Sequence, residues 1–313
     1  MKNKKVLVTG GAGFIGSNLV RHLIHDGNEV TVLDNFMSGF RSNLDPFPSV
    51  CIIEGDVRDK EAVEEAVRGN EIIFHLAASV GNKRSIEDPI TDAGINVLGT
   101  IQVLEAARKA GVRKIVVSSS AGIFGELQTI PISEDHPAEP DSPYGCTKLC
   151  EEKMTLAYAR LYGIEAVCLR YFNVYGPNQR FDAYGNVIPI FVFNMLRGEP
   201  IVIYGDGEQT RDFVHVDDVV QANIKAADAQ GVTGAFNIAS GKRITVNRLV
   251  EIIAATQSQR VKVEHGPERP GDVRHSLADI TSAYEQFHYT PYVDLEKGLG
   301  EYVSWAVKIS SDI

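Results

Sequence analysis

Short apolar runs rich in β-branched residues recur through the first half of the chain: KVLVTG, EVTVLD, VCIIEGD, EIIFHLAA, KIVVSSS and AVCLRYF. Helical patterns lie between most of them, among them IGSNLVRHLIHDG, RDKEAVEEAVRG and INVLGTIQVLEAARKAG. Strands that alternate with helices pair in parallel, and a parallel sheet is covered on both faces. The expected fold is α/β, a Rossmann-type doubly wound parallel sheet. Past Asn173 the rhythm changes. Loops bearing proline and glycine (YGPNQRFDAYGN, YGDGEQTRD) separate VIPIFVFNMLRG, VDDVVQANIKAADA, TVNRLVEIIAATQ and LEKGLGEYVSWAV. A smaller α/β C-terminal domain is expected there. DFVHVDDVV and GAFNIAS could thread back to the first domain. The division is therefore placed at residues 1–173 with 213–240, against 174–212 with 241–313.

Composition narrows the partners. The formal net charge is −10, and nucleic acid or an anionic membrane would want a basic face. An anionic substrate would need locally placed arginines. Cys51, Cys146, Cys150 and Cys168 form no CxxC pair and no metal-ligand spacing. They read as reduced, mostly buried thiols of a reducing compartment, with no metal site. The start, MKNKKVLVTGGAGFIG, sets lysines before apolar residues, but glycines break the run and no small-residue cleavage site follows. No apolar segment is long enough to span a bilayer. A cytoplasmic chain is expected.

TGGAGFIG follows the first strand and opens the first helix, with Gly10, Gly13 and Gly16 at GxxGxxG spacing. A dinucleotide pyrophosphate needs a tight turn, close backbone and a helix N-terminus aimed at it. Glycine loops also serve plain turns, but this one has the strand–turn–helix context. The second strand ends in Asp34, 18 residues after Gly16. A carboxylate there can hold both hydroxyls of an adenosine ribose and would repel a 2′-phosphate, which favours NAD over NADP.

In DSPYGCTK, Asp141 or Ser142 can cap a helix whose first turn holds Pro143, and KLCEEKMTLAYARLYG after it carries apolar positions at helical spacing. Tyr144 and Lys148 then share one face at i and i+4. An ammonium beside a phenol favours the phenolate, and the helix N-terminus adds positive potential. Such a tyrosine can act as a base. Taken alone, the stretch reads more readily as a surface helix with an ordinary tyrosine and a solvated lysine, since YxxxK is short and common.

In order along the chain, TGGAGFIG, LDN, EGDVRD, FHLAA, SSSAGIFG, YGCTK, LRYFNVYGP, YGDGEQTRDFVHVDD and ERPGDVRHSLAD resemble the extended short-chain dehydrogenases/reductases, specifically the UDP-sugar 4-epimerases. The resemblance covers nearly the whole length. It implies an NAD-binding first domain and a UDP-sugar-binding second domain. It implies cofactor contacts from Gly10, Gly13, Phe14, Ile15, Gly16, Asp34, Asn35, Asp56, Val57, Leu76, Ala77, Ala78 and Tyr171. Ser120 would be the catalytic hydroxyl, Tyr144 the base, and Lys148 its helper and a cofactor ligand. Asn173 would touch the substrate diphosphate, Arg211 and Arg269 would clamp it, and Asp272 would hold the uridine ribose.

The resemblance further implies a transient 4-keto sugar and tightly bound NAD that is regenerated at each turnover. Dehydratases and decarboxylases of this superfamily carry acidic residues just after the catalytic hydroxyl; here Ala121 and Gly122 stand there. Ser276, at the position that borders the sugar C2 substituent in 4-epimerases, leaves room for UDP-GlcNAc and UDP-GalNAc beside UDP-Glc and UDP-Gal. Lys83 and Arg84 could face a C6 carboxylate, which keeps a UDP-uronic acid open. Phe124 replaces a usual tyrosine, and Cys146 and Thr147 should be harmless variations. An NAD-sensing regulator would be expected to lose the Tyr/Lys pair. A homodimer through a four-helix bundle of residues 95–110 and 145–162 is implied as well.

Overall fold

The computed structural model describes residues 1–181, 185–257, 261–268 and 273–310. The apolar runs become strands because their side chains alternate between two buried faces. These are β1 (Lys5–Thr9), β2 (Glu29–Asp34), β3 (Cys51–Glu54), β4 (Ile72–His75), β5 (Lys114–Ser120) and β6 (Glu165–Tyr171). In β1, Val6 and Val8 face one core while Leu7 faces the other, all three fully buried. The remaining strands are β7 (Asn173–Tyr175), β8 (Ile201–Tyr204), β9 (Thr210–Arg211), β10 (Phe213–His215), β11 (Gly234–Ile238), β12 (Ile244–Thr245) and β13 (Val263–Gly266). One sheet runs β3-β2-β1-β4-β5-β6-β11, parallel throughout. This is the expected Rossmann-type sheet, with GAFNI as its last strand. The strand order reverses between β1 and β4, and ligands of such sheets bind outside the carboxyl ends at that point.

The helices are α1 (Phe14–His25), α2 (Lys60–Val67), α3 (Asn82–Glu87), α4 (Pro89–Ala93), α5 (Thr100–Ala110), α6 (Pro143–Tyr162), α7 (Val187–Arg197), α8 (Val216–Asp228), α9 (Val246–Gln257), α10 (Thr281–Phe287) and α11 (Leu295–Ser310). Leu19 and Leu23 of α1, Val219 and Ala226 of α8 and Phe287 of α10 cover one face of the sheet. Val63 and Val67 of α2, Val103 and Leu104 of α5 and Ala159 of α6 cover the other. A third core, with Phe191, Ile203, Leu249, Ile253, Leu299 and Tyr302, gathers α7, α9 and α11 around β8. Beside it lie three two-stranded sheets, β10-β7, β12-β9 and β13-β8. Among the described residues no helix is long and apolar enough to cross a membrane.

Three local expectations are corrected. The helix read as INVLGTIQVLEAARKAG begins earlier, and Gly94–Gly99 forms a π-helical turn before α5; such turns concentrate at functional sites. The apolar spacing of α6 does not mark its buried face. That face holds Gly145, Thr147, Lys148, Glu151, Glu152, Thr155 and Ala159, because the first turns of the helix border a site, while Met154, Leu156 and Tyr158 pack half-buried on the core that Ala159 joins. Of the four cysteines, all free, only Cys168 is buried; Cys51 and Cys146 are exposed and Cys150 is half-buried.

Candidate active site

One cleft of about 1470 Å³ opens over the carboxyl ends of the sheet. Every described residue expected at the cofactor or substrate lines it: Gly10, Gly13, Phe14, Ile15, Gly16, Asp34, Asn35, Asp56, Val57, Leu76, Ala77, Ala78, Ser120, Tyr144, Lys148, Tyr171, Asn173, Arg211 and Ser276. Arg269 and Asp272 lie outside the described residues.

The glycine loop is built for a flat, close-lying group. Gly10 has φ +70°, and a Cβ there would meet Ala77 N at 2.8 Å. A Cβ on Gly16 would stand 2.1 Å from Gly10 O. The sharp turn therefore admits no side chain at either position, and it leaves backbone amides and the α1 N-terminus facing the cleft. At the end of β2, the Asp34 carboxylate accepts Ala12 N–H at 2.9 Å and Phe36 N–H at 2.8 Å. Burial pushes its pKa up from the ordinary aspartate value, against the pull of those two donors. Asp56 is held by Arg58, at 2.8 Å through Nε and through Nη2, and accepts Asn35 Nδ2 at 2.9 Å. The Arg58 hydrogen bond is the main reason its carboxyl is lowered to about 2. These residues fit a dinucleotide: a cradle for the pyrophosphate and a carboxylate for a ribose diol.

The end of β5 delivers Ser120, which pairs across the sheet with Tyr171. The Ser120 Oγ accepts Gly122 N–H at 3.1 Å. Ser142 caps α6 through Gly145 N–H at 3.2 Å, and Pro143 stands in the first turn. Tyr144 and Lys148 do share one face of α6. Lys148 is almost fully buried, 3.4 Å from Ser118 Oγ and ion-paired with Glu151. The electrostatic expectation needs a correction. Tyr144 is raised above the ordinary phenol value, because burial outweighs the Lys148 charge and the Ser120 hydrogen bond, both of which favour the phenolate. The nearby Glu151 charge also works against it.

Tyr171 lines the cleft, and its hydroxyl donates to Asn223 Oδ1 at 3.0 Å. The Asn173 side-chain amide donates to Asp212 O at 3.2 Å. Ser276 is 8 % exposed and hangs from Thr210 O by its own N–H at 3.1 Å. Phe124 fills an apolar niche beside the His136 ring, 5.4 Å away. The hydroxyl it lacks would have been buried there.

Several residues escaped the sequence reading. Asn96, in the π-helical turn, clasps the Ser79 backbone, accepting its N–H at 2.8 Å and donating to its carbonyl at 3.0 Å. It also donates to Thr147 Oγ1 at 3.1 Å, and that hydroxyl donates to Asp92 at 2.6 Å. Thr147 is thus a strut between α4 and α6 rather than a harmless variation. Ser85 accepts the backbone N–H of Tyr144 at 3.0 Å, which ties α3, the helix bearing Lys83 and Arg84, to α6. Arg180 lays its guanidinium 3.8 Å from the Phe40 ring centre, and both line the cleft. Only the π-turn had no signal at all; the others are polar residues of helices or loops, which pattern reading assigns to solvent.

The model of the family described as NAD dependent epimerase/dehydratase matches residues 6–239. The chain belongs to that family. It is an NAD-dependent enzyme of the extended short-chain dehydrogenase/reductase superfamily. A UDP-glucose 4-epimerase of Mycolicibacterium smegmatis is 39% identical over 310 residues, covering 96% of this chain and 98% of that one. A UDP-N-acetyl-alpha-D-glucosaminuronate decarboxylase of Bacillus cytotoxicus is 34% identical over 326 residues, covering 99% of each chain. Among solved structures, the UDP-N-acetylglucosamine 4-epimerase of Methanobrevibacter ruminantium, in complex with UDP-N-acetylmuramic acid, superposes with TM-score 0.95 at 39% identity, covering 99% of this chain and 100% of that one. The UDP-glucose 4-epimerase of Thermotoga maritima, with UDP-glucose, gives 0.93 at 39% identity, covering 98% and 99%. For this family member, the cleft is where cofactor and substrate chemistry must meet.

Proposed function

We propose that the chain is an NAD-dependent 4-epimerase of UDP-hexoses, interconverting UDP-Glc with UDP-Gal, UDP-GlcNAc with UDP-GalNAc, or both. The observation that carries this reading is the convergence of Ser120, Tyr144 and Lys148 in one cleft with no acidic side chain at positions 121 and 122. Bound NAD supplies hydride transfer to and from C4, so no net redox occurs. Tyr144 takes the proton from the O4 hydroxyl, and Ser120 shares that hydrogen bond. Lys148 binds the nicotinamide ribose and supplies the positive charge that the buried phenolate needs. Inversion at C4 requires the 4-keto sugar to present its other face. The chain must therefore hold the diphosphate firmly, through Arg211, Asn173 and Arg269, and the sugar loosely. Asp272 takes the uridine ribose. The glycine loop, Asp34, Asn35, Asp56, Val57, Leu76, Ala77, Ala78 and Tyr171 hold the cofactor.

Small Ser276 in the cleft supports the N-acetylated sugars. Lys83 and Arg84, which line the same cleft, favour a UDP-uronic acid as the second substrate reading. We also assign residues 1–173 with 213–240 to the cofactor and 174–212 with 241–313 to the UDP-sugar. Exposed Ile86, Ile90, Leu98 and Leu161, on or beside the two helical segments 95–110 and 145–162, support a homodimer. The net charge of −10 and the four free cysteines support a cytoplasmic setting.

The deciding experiment incubates the protein with UDP-GalNAc, UDP-Gal or UDP-glucuronate, without added cofactor, and separates products by chromatography with mass detection. A product of unchanged mass and altered retention is expected. Loss of water or carbon dioxide would replace the reading by dehydration or decarboxylation. No product with any sugar, even with NAD added, would leave a cofactor-binding regulator.

A further inference from the structure

Glu151 follows Lys148 by three residues on α6 and is 1 % exposed. One carboxylate oxygen is ion-paired with Lys148 Nζ, and the other lies 3.7 Å from His75 Nε2. His75 is not a second cation. Its Nδ1 is 2.8 Å from the Thr9 hydroxyl and its Nε2 3.0 Å from the Thr100 hydroxyl. Thr9 Oγ1 already accepts the N–H groups of Leu76 and Ala77, so its proton goes to His75 Nδ1. Thr100 gives its proton to Asn96 O at 2.6 Å, so it accepts from His75 Nε2. That pattern fixes a neutral ring, and burial pushes His75 down to about 3.

The other groups facing Glu151 are accounted for in the same way. On α6, Glu152 is paired with Arg170 of β6 at 2.8 Å. On β6, burial raises both Cys168 and Tyr171 and keeps them neutral. Lys148 is the only cation in direct contact with Glu151 among the described residues, and Tyr144 lies one further turn along the same face.

We propose that Glu151 is a positioning residue that governs when Tyr144 becomes a base. As a carboxylate it holds the Lys148 ammonium and offsets that charge at Tyr144. Once it takes a proton, the whole Lys148 charge acts on the phenol. Burial raises Glu151 to about 7 against the pull of Lys148, so this exchange falls in the physiological range. The inference rests on Tyr144 as the base of the proposed epimerase.

The test is a titration of tyrosinate absorbance in the NAD-loaded, sugar-free protein, with the Tyr144→Phe protein subtracted. Glu151→Gln and Glu151→Met both remove the charge at similar volume. Each is expected to move the Tyr144 midpoint down by about one pH unit, and the acid limb of kcat/KM with it, while KM stays within about twofold. An unmoved midpoint in the folded variants overturns the proposal. So does loss of fold or NAD in both, which would make Glu151 a structural residue. Because the absorbance reads no sugar chemistry, a shifted midpoint without turnover on any UDP-hexose would sink the epimerase reading and leave Glu151 tuning Tyr144.

Discussion

A Cβ added to Gly122 would stand 3.7 Å from the Tyr144 ring and 3.4 Å from Ser120 Oγ. Those are ordinary contact distances, so position 122 borders the reacting groups without being sterically closed. Glycine there adds no further side-chain acid beside the phenol. Gly122→Ala is expected to keep turnover within about threefold. Gly122→Glu places a second negative charge near Tyr144 and should lower turnover more than tenfold at neutral pH, with the acid limb moved upward. Equal activity of the two variants would show that position 122 does not communicate with Tyr144.

Tyr144→Phe removes only the hydroxyl. The ring, the helix start and the Ser85 bond to the Tyr144 backbone are retained. Epimerisation should fall by about 10²- to 10⁴-fold, while NAD co-purifies at the parent's ratio. Sugar-nucleotide chromatography and cofactor content measure the two effects separately. Unchanged turnover would remove Tyr144 from the mechanism.

The residues that carry a local constraint were the ones legible in the sequence. Gly10 and Gly16 sit where no other side chain fits, and such a requirement prints itself as a spaced motif. Strands such as β1 and β4, buried on both faces, print as unbroken apolar runs. Glu151, Thr147 and Asp92 obey no such rule. Each is a polar residue on a helix, where the usual expectation is solvent; Thr147 and Asp92 are buried because they meet from two elements, and Glu151 because it packs with Lys148 of its own helix against His75 of β4. The α6 helix is the sharpest case: its most buried side is charged and hydroxylated, while Leu149, Met154, Leu156 and Tyr158 are only half-buried and Leu161 and Tyr162 are exposed. The direction of the Tyr144 shift was missed for the same reason, since burial is set by tertiary packing and the sequence displayed only the neighbouring lysine.

Lys148 and Glu151 form a buried ion pair at 2%/1% side-chain exposure. Removing one partner of such a pair typically costs about 3–5 kcal/mol, because the other charge is stranded. Lys148→Met should therefore destabilise the fold strongly at pH 8 and less at pH 6, where Glu151 takes a proton instead. Lys148→Met combined with Glu151→Met should recover most of the urea midpoint without recovering turnover. A double variant no more stable than Lys148→Met would mean that the two side chains are not energetically coupled.

Ser276 lies in the cleft with its backbone fixed by Thr210. A larger side chain there must project into cleft space, since the backbone cannot withdraw without breaking that bond. Ser276→Tyr should depress kcat/KM for UDP-GalNAc by at least tenfold, with UDP-Gal kept within about threefold. Equal losses on both sugars would show that Ser276 does not border the C2 substituent.

His75 and Glu151 make opposite demands on stability as the pH changes. His75 is lowered from 6.5 to about 3, so its contribution is present above 6.5 and is lost as the pH falls toward 3. Glu151 is raised from 4.5 to about 7, so its contribution is present below 4.5 and is lost as the pH rises through 7. Between 4.5 and 6.5 the two slopes oppose one another, each amounting to about 1.4 kcal/mol per pH unit per full proton. Glu151→Gln abolishes one slope and leaves the other. Its urea midpoint should then fall more steeply than the parent's on acidification from pH 6.5 to 4.5, with groups common to both proteins cancelling in the difference. Parallel curves would mean that Glu151 does not titrate in the folded protein across this range.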